Sequence, residues 1–298
     1  MITWTGLQTT VKNIVTETGT DKDSFIQARI NEAHKHICDL YDWPWLEKTL
    51  TKTSTASQQE ITLPVDYLRL ITYRVTNGTT DYTPHYVANA EDFDRINYAG
   101  STISSNIPEF FTIRNGDILN YPAISSAGLP ITIEYLSKPV DFEQADYTIG
   151  TITAVANNMT TVTGDSTAWD TGNNVLVGSF IQLPDNNWYE IATIVSDTSL
   201  TISKPYQGIT VAAATEPYTI GDLPKVPEAF QDVVWLRAVS RYFMLKGDEA
   251  RAKEYLTWYD DEYDKLRRRY STKTTKSVYN RPAKHMNANY DPRAITIT

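Results

Sequence analysis

Apolar residues recur at helical spacing near the N-terminus, in two segments that Gly19 separates. Thr5 and Gln8 have the spacing of a capping box, which predicts the start of the first helix, and Gly19 is predicted to end it. The second helix is predicted to stop at residues 43–45, because Pro44 disfavours helical geometry at the residue before it. Together they predict an antiparallel helical hairpin. Its apolar faces comprise Leu7, Val11, Ile14 and Val15 on the first helix, and Ile26, Ile30, Ala33, Ile37, Leu40 and Tyr41 on the second.

Helical spacing returns after Pro227, which stands at a predicted first helical position. Gly247 and Asp248 offer a C-terminal glycine followed at once by a new N-cap, which predicts a second tight helical hairpin. The last helix carries a mainly tyrosine stripe over about five turns, or roughly 30 Å. Such a stripe indicates packing on a neighbouring subunit, since tyrosine is favoured at protein interfaces. The predicted interface residues are Tyr255, Tyr259, Tyr263, Leu266 and Tyr270.

Between residues 60 and 142 the pattern changes to short alternating or β-branched runs, which predict a small and mostly antiparallel sheet. The dipeptides Asn77-Gly78 and Asn115-Gly116 are typical of turns, the second of a tight hairpin. Residues 91–98 are predicted as a short helix. The predicted strands are residues 60–64, 68–75, 110–113, 118–121 and 131–136.

Residues 148–221 read as β structure throughout, with turn residues at short intervals, and predict a barrel or sandwich of five or six strands. The string Tyr-Thr-Ile-Gly occurs at both ends, at 147–150 and 218–221, which favours two strand ends lying side by side. The predicted strands are residues 151–155, 160–163, 180–183, 189–194 and 200–202.

The predicted fold class is therefore α+β. A helical bundle is built from the N- and C-terminal helical hairpins and carries an antiparallel β region. Residues 1–147 and 222–270 are predicted to form this helical core with its small sheet. Residues 148–221 are predicted as an inserted small all-β module, and residues 271–298 as an extended C-terminal arm.

Charge is distributed unevenly along the chain. The formal net charge is −9, yet residues 142–222 contain nine acidic residues against the single base Lys204, whereas residues 271–298 have an excess of four positive charges. This asymmetry marks an acidic module and a basic arm. No run approaches the roughly 18 to 20 apolar residues needed to span a bilayer, and the first residues lack a signal-peptide pattern. We expect a soluble chain that is not exported and has no membrane partner.

The arm has few apolar residues and cannot order itself alone. Two interpretations remain open: a mobile end, or an arm that folds on a partner. In the second, Val278, Tyr279 and Met286 are anchors, and the alternating residues 294–298 form a strand able to add to a foreign sheet edge.

Motifs for phosphate, zinc, hydrolase or calcium chemistry do not occur in the sequence, so we expect no enzyme activity, no cofactor and no metal. His34, Cys38 and Asp42 share a helix face at steps of four and could in principle hold a metal. They lack a fourth ligand, and polar residues on a solvent face beside a half-buried cysteine are the favoured interpretation.

The last helix also carries an acidic run, residues 260–264, that alternates with basic residues and predicts a solvated, salt-bridged face rather than paired catalytic carboxylates. Arg267, Arg268 and Arg269 could contact phosphate, or simply complement the helix dipole. The overall acidic balance argues against a dedicated nucleic-acid binder.

Several segments, in this order along the chain, resemble tailed-bacteriophage head-to-tail adaptor (connector) proteins, with the short-tailed phage tail-accessory-factor kind most similar. The segments are residues 36–45, 60–69, 108–113, 121–139 and 226–230. Residues 150–202 are similar to a small β module of phage tail and virion proteins.

The resemblance implies a homo-oligomeric ring, usually of twelve subunits, docked under the phage portal protein at the head–tail junction of a virion assembled in the host cytoplasm. Its β parts would face a tail nozzle or tail tube protein and tail fibres. Double-stranded genomic DNA would pass through the lumen during packaging and ejection with transient, non-specific contact. The arm would bind the portal through Lys276, Val278, Tyr279, Arg281, Lys284, Met286, Tyr290, Ile295 and Ile297.

Two alternatives stay open. Another phage tail component could use the β module to bind a host-surface glycan, with Trp169, Trp188 and Tyr189 stacking on sugar rings. The favoured interpretation of these three residues is that they are core aromatics of a small barrel. A cell-wall hydrolase acting through carboxylates is the third reading.

Overall fold

Helices and sheets are segregated along the chain, which gives the α+β class that the sequence predicts. The computed structural model describes residues 1–16, 20–99 and 107–270. Two units can be separated: Met1–Leu40 with Pro139–Arg269, and Tyr41–Lys138 with Tyr270. Within the described residues the helices are α1 (Trp4–Val15), α2 (Thr20–Asp39), α3 (Ala90–Ala99), α4 (Asp232–Leu245) and α5 (Glu249–Tyr270).

Helix α1 has its N-cap two residues before the one that the predicted capping box implies. Thr3 is its N-cap, since the Thr3 hydroxyl accepts a hydrogen bond from the Gly6 N–H at 3.2 Å. The Thr5 hydroxyl instead accepts from the Asp146 N–H at 3.0 Å. The helix ends at Thr16, which takes the left-handed conformation with φ 52°. The predicted stop at Gly19 lies outside the described residues.

Helix α2 packs against both α1 and α4. Its apolar stripe is buried at Ile26, Ile30, Ala33 and Ile37, as predicted. Leu40, by contrast, is 42% exposed, because the helix ends at Asp39 and the stripe no longer continues. Likewise α4 does not start at Pro227; a 3-10 turn, Glu228–Phe230, precedes it.

The first unit also contains a seven-stranded sheet in the order β14-β9-β10-β13-β12-β11-β15, with every pairing antiparallel. Five strands match the predicted runs, and the last two were not predicted. Tyr147 and Ile220 exchange backbone hydrogen bonds of 2.8 and 2.9 Å, which confirms that the two Tyr-Thr-Ile-Gly segments lie side by side. The strands are β9 (Thr151–Val155), β10 (Thr161–Asp165), β11 (Phe180–Gln182), β12 (Trp188–Ser196), β13 (Ser199–Ile202), β14 (Val211–Glu216) and β15 (Thr219–Gly221).

The second unit contains helix α3 and two four-stranded sheets, β1-β8-β3-β4 and β2-β7-β6-β5, whose residues share one apolar core. The predicted Asn115-Gly116 hairpin joins β6 to β7, and both turn residues have positive φ, as a tight hairpin requires. Strand β5 pairs with β6 in parallel. The strands are β1 (Glu47–Thr53), β2 (Gln58–Thr62), β3 (Tyr67–Asn77), β4 (Thr80–Tyr82), β5 (His85–Tyr86), β6 (Phe110–Arg114), β7 (Asp117–Ile124) and β8 (Pro130–Ser137).

These units divide the chain at other positions than the predicted domains do. The acidic residues 148–221 belong to the same unit as helices α1, α2 and α4, whereas the two four-stranded sheets and α3 belong to the second unit. An independent module at 148–221 stays a prediction.

Gly150 lies close to the backbone at Asp165, and this close approach allows a test of packing in the seven-stranded sheet. A Cβ at Gly150 would lie 2.5 Å from the Asp165 carbonyl oxygen, whereas one at Gly178 would meet nothing within 4 Å, and both glycines have positive φ. We expect Gly178→Ala to cost about 1 kcal/mol of unfolding free energy through its backbone conformation. Gly150→Ala should cost about 1–3 kcal/mol more, because backbone must shift. Urea unfolding measures both, and equal losses would contradict the packing argument.

Candidate interaction surface

The sequence predicts a subunit contact on the surface of helix α5. It follows α4 through Gly247, which has φ 80°, and Asp248, whose carboxylate accepts the Arg251 N–H at 3.1 Å as an N-cap. The turn chemistry between the last two helices is therefore as predicted. The inner side of α5 is closed by Ala252, Tyr259 and Leu266, which are all buried.

The five predicted interface residues of α5 fall into two groups. Tyr259 and Leu266 are buried within the chain, at 4% and 0% exposure. Tyr255, Tyr263 and Tyr270 are half-buried and keep accessible surface. Tyr263 stacks on Tyr259 with ring centroids 5.6 Å apart. Their role at a subunit interface stays a prediction, with the half-buried group as its accessible part.

Tyr259 is held inside the chain by a cation. The Arg237 guanidinium lies over its ring, 5.2 Å from the centroid. Burial raises the pKa of Tyr259 to about 12, so its hydroxyl is neutral at physiological pH. Within the described ranges this hydroxyl has no hydrogen-bond partner. Tyr259 therefore stabilises the first unit by its ring rather than by its polar atom.

The residue that sequence reasoning missed is Trp258, which is 46% exposed. It lies off the tyrosine stripe, and Tyr255 meets its ring edge-on with centroids 5.0 Å apart. Tyr255 in turn stacks on Phe243 of α4 at 5.8 Å. Trp258 is therefore an exposed ring that rests on the half-buried Tyr255 and, through it, on the buried Phe243, and tryptophan is a residue type that is enriched among the residues that dominate interface energetics. The sequence signal that could have identified Trp258 was its position outside the tyrosine stripe of α5.

Charges on α5 pair along the outer face. Lys265 lies 2.5 Å from Glu262, and Arg267 lies 3.3 Å from Asp264. This arrangement agrees with the predicted salt-bridged helix face.

The three terminal arginines of α5 are all exposed. The Arg269 guanidinium lies 6.0 Å from the centroid of the Phe230 ring. Arg268 has no ion pair within the described part of the chain, so it is the member most available to a phosphate. Contact of Arg267, Arg268 and Arg269 with phosphate stays a prediction.

The predicted portal-binding residues all lie outside the described residues, since the described part of the chain ends at Tyr270. They are Lys276, Val278, Tyr279, Arg281, Lys284, Met286, Tyr290, Ile295 and Ile297.

The solvent face predicted for His34 beside a half-buried Cys38 is wrong, because both residues are buried. The His34 ring stacks on Phe142 at 4.5 Å, and its Nε2 accepts the Lys225 N–H at 3.1 Å. Burial lowers the pKa of His34 to about 3 and raises the pKa of Cys38 to about 12. Asp42 pairs with Arg69. In residues 1–16, 20–99 and 107–270 no group of ligands could hold a metal ion.

The aromatic residues considered for sugar stacking are mostly core. Trp169 is fully buried and donates its Nε1–H to the Tyr218 hydroxyl at 2.9 Å. Tyr189 is buried and donates to the Asp185 carboxylate at 2.6 Å. Only Trp188 keeps partial exposure. A single half-buried ring is a poor sugar platform, so the structure does not favour a glycan site on these residues.

None of the described helices combines the length and the apolar character that crossing a membrane requires.

A family model described as SU10 adaptor protein matches residues 2–158. The match covers just over half of the chain, from the start of α1 through the whole of β9. It confirms the resemblance to phage head-to-tail adaptors that the order of the sequence segments indicates. No curated protein matches the chain.

The buried His34 makes stability depend on pH. The unfolded chain binds a proton on this imidazole below about pH 6.5, whereas the folded chain resists doing so until about pH 3. The unfolding free energy should therefore fall as the pH is lowered through this window, by up to about 1.4 kcal/mol per pH unit from this group. The unfolding free energy, measured with urea at pH 7 and at pH 5, should decrease between these two pH values. This decrease should be smaller in His34→Gln than in the wild type, by up to about 2 kcal/mol.

His85→Gln is the matched control, because His85 is exposed. It should keep the wild-type pH dependence. A His34→Gln variant with the same dependence as the wild type would show that the imidazole takes up its proton freely in the folded chain.

Proposed function

Because the chain belongs to the SU10 adaptor protein family, we propose that it is a structural head-to-tail adaptor of a tailed-phage virion, without enzymatic activity. The family match over residues 2–158 is the observation that carries this proposal. The chain would occupy the head–tail junction, between the portal protein above and the tail below, after synthesis in the host cytoplasm.

The proposed assembly is a closed ring of twelve copies. A ring interface is heterologous, so each subunit needs an accessible patch that meets a different patch on its neighbour. The accessible side of α5 supplies one such patch, with Trp258 and Tyr255 as anchors. The paired charges of Glu262 and Lys265 fit a polar rim around it.

The portal contact is assigned to the arm, residues 271–298. Its positive excess continues directly from Arg267, Arg268 and Arg269 at the end of α5. A basic segment with few apolar residues gains its order from a partner surface, so we expect it to fold on the portal rather than on its own.

The tail-facing contacts are assigned to the β parts, including the predicted acidic module at residues 148–221. Each of the two units projects an apolar tip that its own core does not cover: Ile209, at 89% exposure, in the first, and Val65, at 93%, in the second. Both side chains are accessible to another protein, here a tail nozzle or tube protein and the attached fibres.

DNA passage is proposed to be non-specific. Genomic double-stranded DNA must move through the lumen in packaging and ejection, and a wall with an acidic balance does not hold phosphate. The arginines at the end of α5 are proposed to make the transient contacts with DNA.

Electron microscopy of the purified chain with and without portal rings tests the proposal. We expect rings only on the portal, because the arm supplies the contact that concentrates the subunits. A chain deleted after Tyr270 should leave the portal bare while keeping its circular dichroism spectrum. A monomer that ignores the portal at micromolar concentration would contradict the proposal.

The aromatic patch is tested by Trp258→Ala. Since this side chain is exposed, its truncation should change the unfolding free energy by no more than about 0.5 kcal/mol. Loss of an interface anchor should nevertheless weaken ring assembly on the portal by about thirtyfold, as read from the subunit concentration at half occupancy. Thr257→Ala, at the adjacent exposed position, is the control. Equal assembly by both variants would remove Trp258 from the interface.

A further inference from the structure

Strand β1 is an open edge of the second unit. It forms one end of the sheet β1-β8-β3-β4 and pairs with β8 along all seven residues without a register shift. Among the described residues, no strand pairs with its other side from Thr49 to Thr53. A long regular edge presents a row of backbone donors and acceptors to any extended segment.

The two lysines of β1 are held by contacts within the second unit. Lys48 forms an ion pair with Asp66 at 2.8 Å, and the Lys52 ammonium donates to the Thr62 carbonyl at 2.7 Å. Both lysines are thereby held on the inner side of the strand. The strand contains neither a proline nor a bulge. The backbone from Thr49 to Thr53 therefore keeps the regular extended geometry that another strand needs for pairing.

The arm starts close to this edge. Tyr270, which belongs to the second unit, places its ring edge-on against Trp45 with centroids 5.0 Å apart. Trp45 stands two positions before β1. Residues 271–293 can span up to about 80 Å when extended, and β1 is only about 23 Å long. Residues 294–298 can consequently reach any part of the β1 edge of the same chain.

The side-chain pattern of β1 matches the end of the arm. Leu50 is half-buried and packs on the core, while Thr49, Thr51 and Thr53 are exposed on the other side. Residues 294–298 alternate in the same way, with Ile295 and Ile297 on one side and threonines on the other. An antiparallel register that sets Ile297 opposite Leu50 also sets Thr296 opposite Thr51, which buries isoleucine and pairs threonine with threonine.

We infer that residues 294–298 add to the open edge of β1 of their own chain as an antiparallel fifth strand in the free subunit. This covers the edge and the isoleucines before assembly, when either could recruit a wrong partner. The inference concerns the isolated subunit, so it stands or falls independently of the arm's final partner.

Hydrogen exchange of the full-length chain tests the pairing. Ile297→Pro removes a backbone N–H from the added strand and should make the outward amides of residues 49–53 exchange about tenfold faster than in the wild type. Asn287→Pro, in the arm but outside the strand, should leave them unchanged. Identical exchange in the wild type and Ile297→Pro would overturn the inference.

A disulfide between the two segments tests the register. Thr51→Cys with Thr296→Cys should form a bond within one chain under mild oxidation, because directly opposed strand residues meet the distance that a disulfide requires. Cys38 is buried and should not compete. The control pair is Thr51→Cys with Asn287→Cys. Equal yields for both pairs, or a bond found only between two chains, would refute the intramolecular strand.

Discussion

The first unit depends on the hydrogen bonds that the Asp222 carboxylate accepts. The carboxylate accepts hydrogen bonds from the Glu143 and Gln144 N–H groups at 2.7 and 2.8 Å and from the Ser179 hydroxyl at 2.8 Å. Its backbone carbonyl accepts the Trp4 N–H at 2.8 Å. One residue thus joins the start of α1, the segment that returns from the second unit, and the edge of the seven-stranded sheet. Charge-assisted bonds of this kind are about twice as strong as neutral ones.

This arrangement explains how a helical part and a large acidic sheet share one unit. The residues that enter and leave the sheet lie together, since Tyr147 and Ile220 are hydrogen-bonded to each other. A segment whose two ends meet can be accommodated without displacing the helices on either side of it. The family match ends just after β9, so most of the sheet lies beyond the matched residues and yet is closed by Asp222.

Local patterns predicted most of the strands and the turns that depend on a particular residue type. Asn115-Gly116 and Gly247-Asp248 were recognisable because their backbone conformations suit few other residues. The N-cap at Thr3 was not, because its choice over Thr5 depends on Asp222 and Asp146, which lie far away in sequence. Strand β1 was missed for the same reason, since β8, its strand partner among the described residues, follows more than seventy residues later.

Burial was harder to predict than secondary structure. His34 stands on a helix face that its neighbours make look polar, but Phe142 and Lys225 cover it from two distant segments. Tyr259 belongs to a stripe that looked available to a neighbour, but Arg237 of α4 covers its ring. In both cases the deciding contact comes from another element, which periodicity along one helix does not report.

The burial of Tyr259 and Leu266 also changes what a neighbouring subunit can meet. Tyr259 and Leu266, at the centre of the tyrosine stripe, are buried within the chain. A neighbouring subunit can therefore contact only the side of the stripe, where Trp258 is exposed. In the proposed ring this side must meet a different surface of the next copy, because a cyclic interface is not self-complementary. The chain separates its charge into an acidic stretch at residues 142–222 and a basic arm. Such separation favours one direction of approach over its reverse, since like charges oppose the wrong pairing.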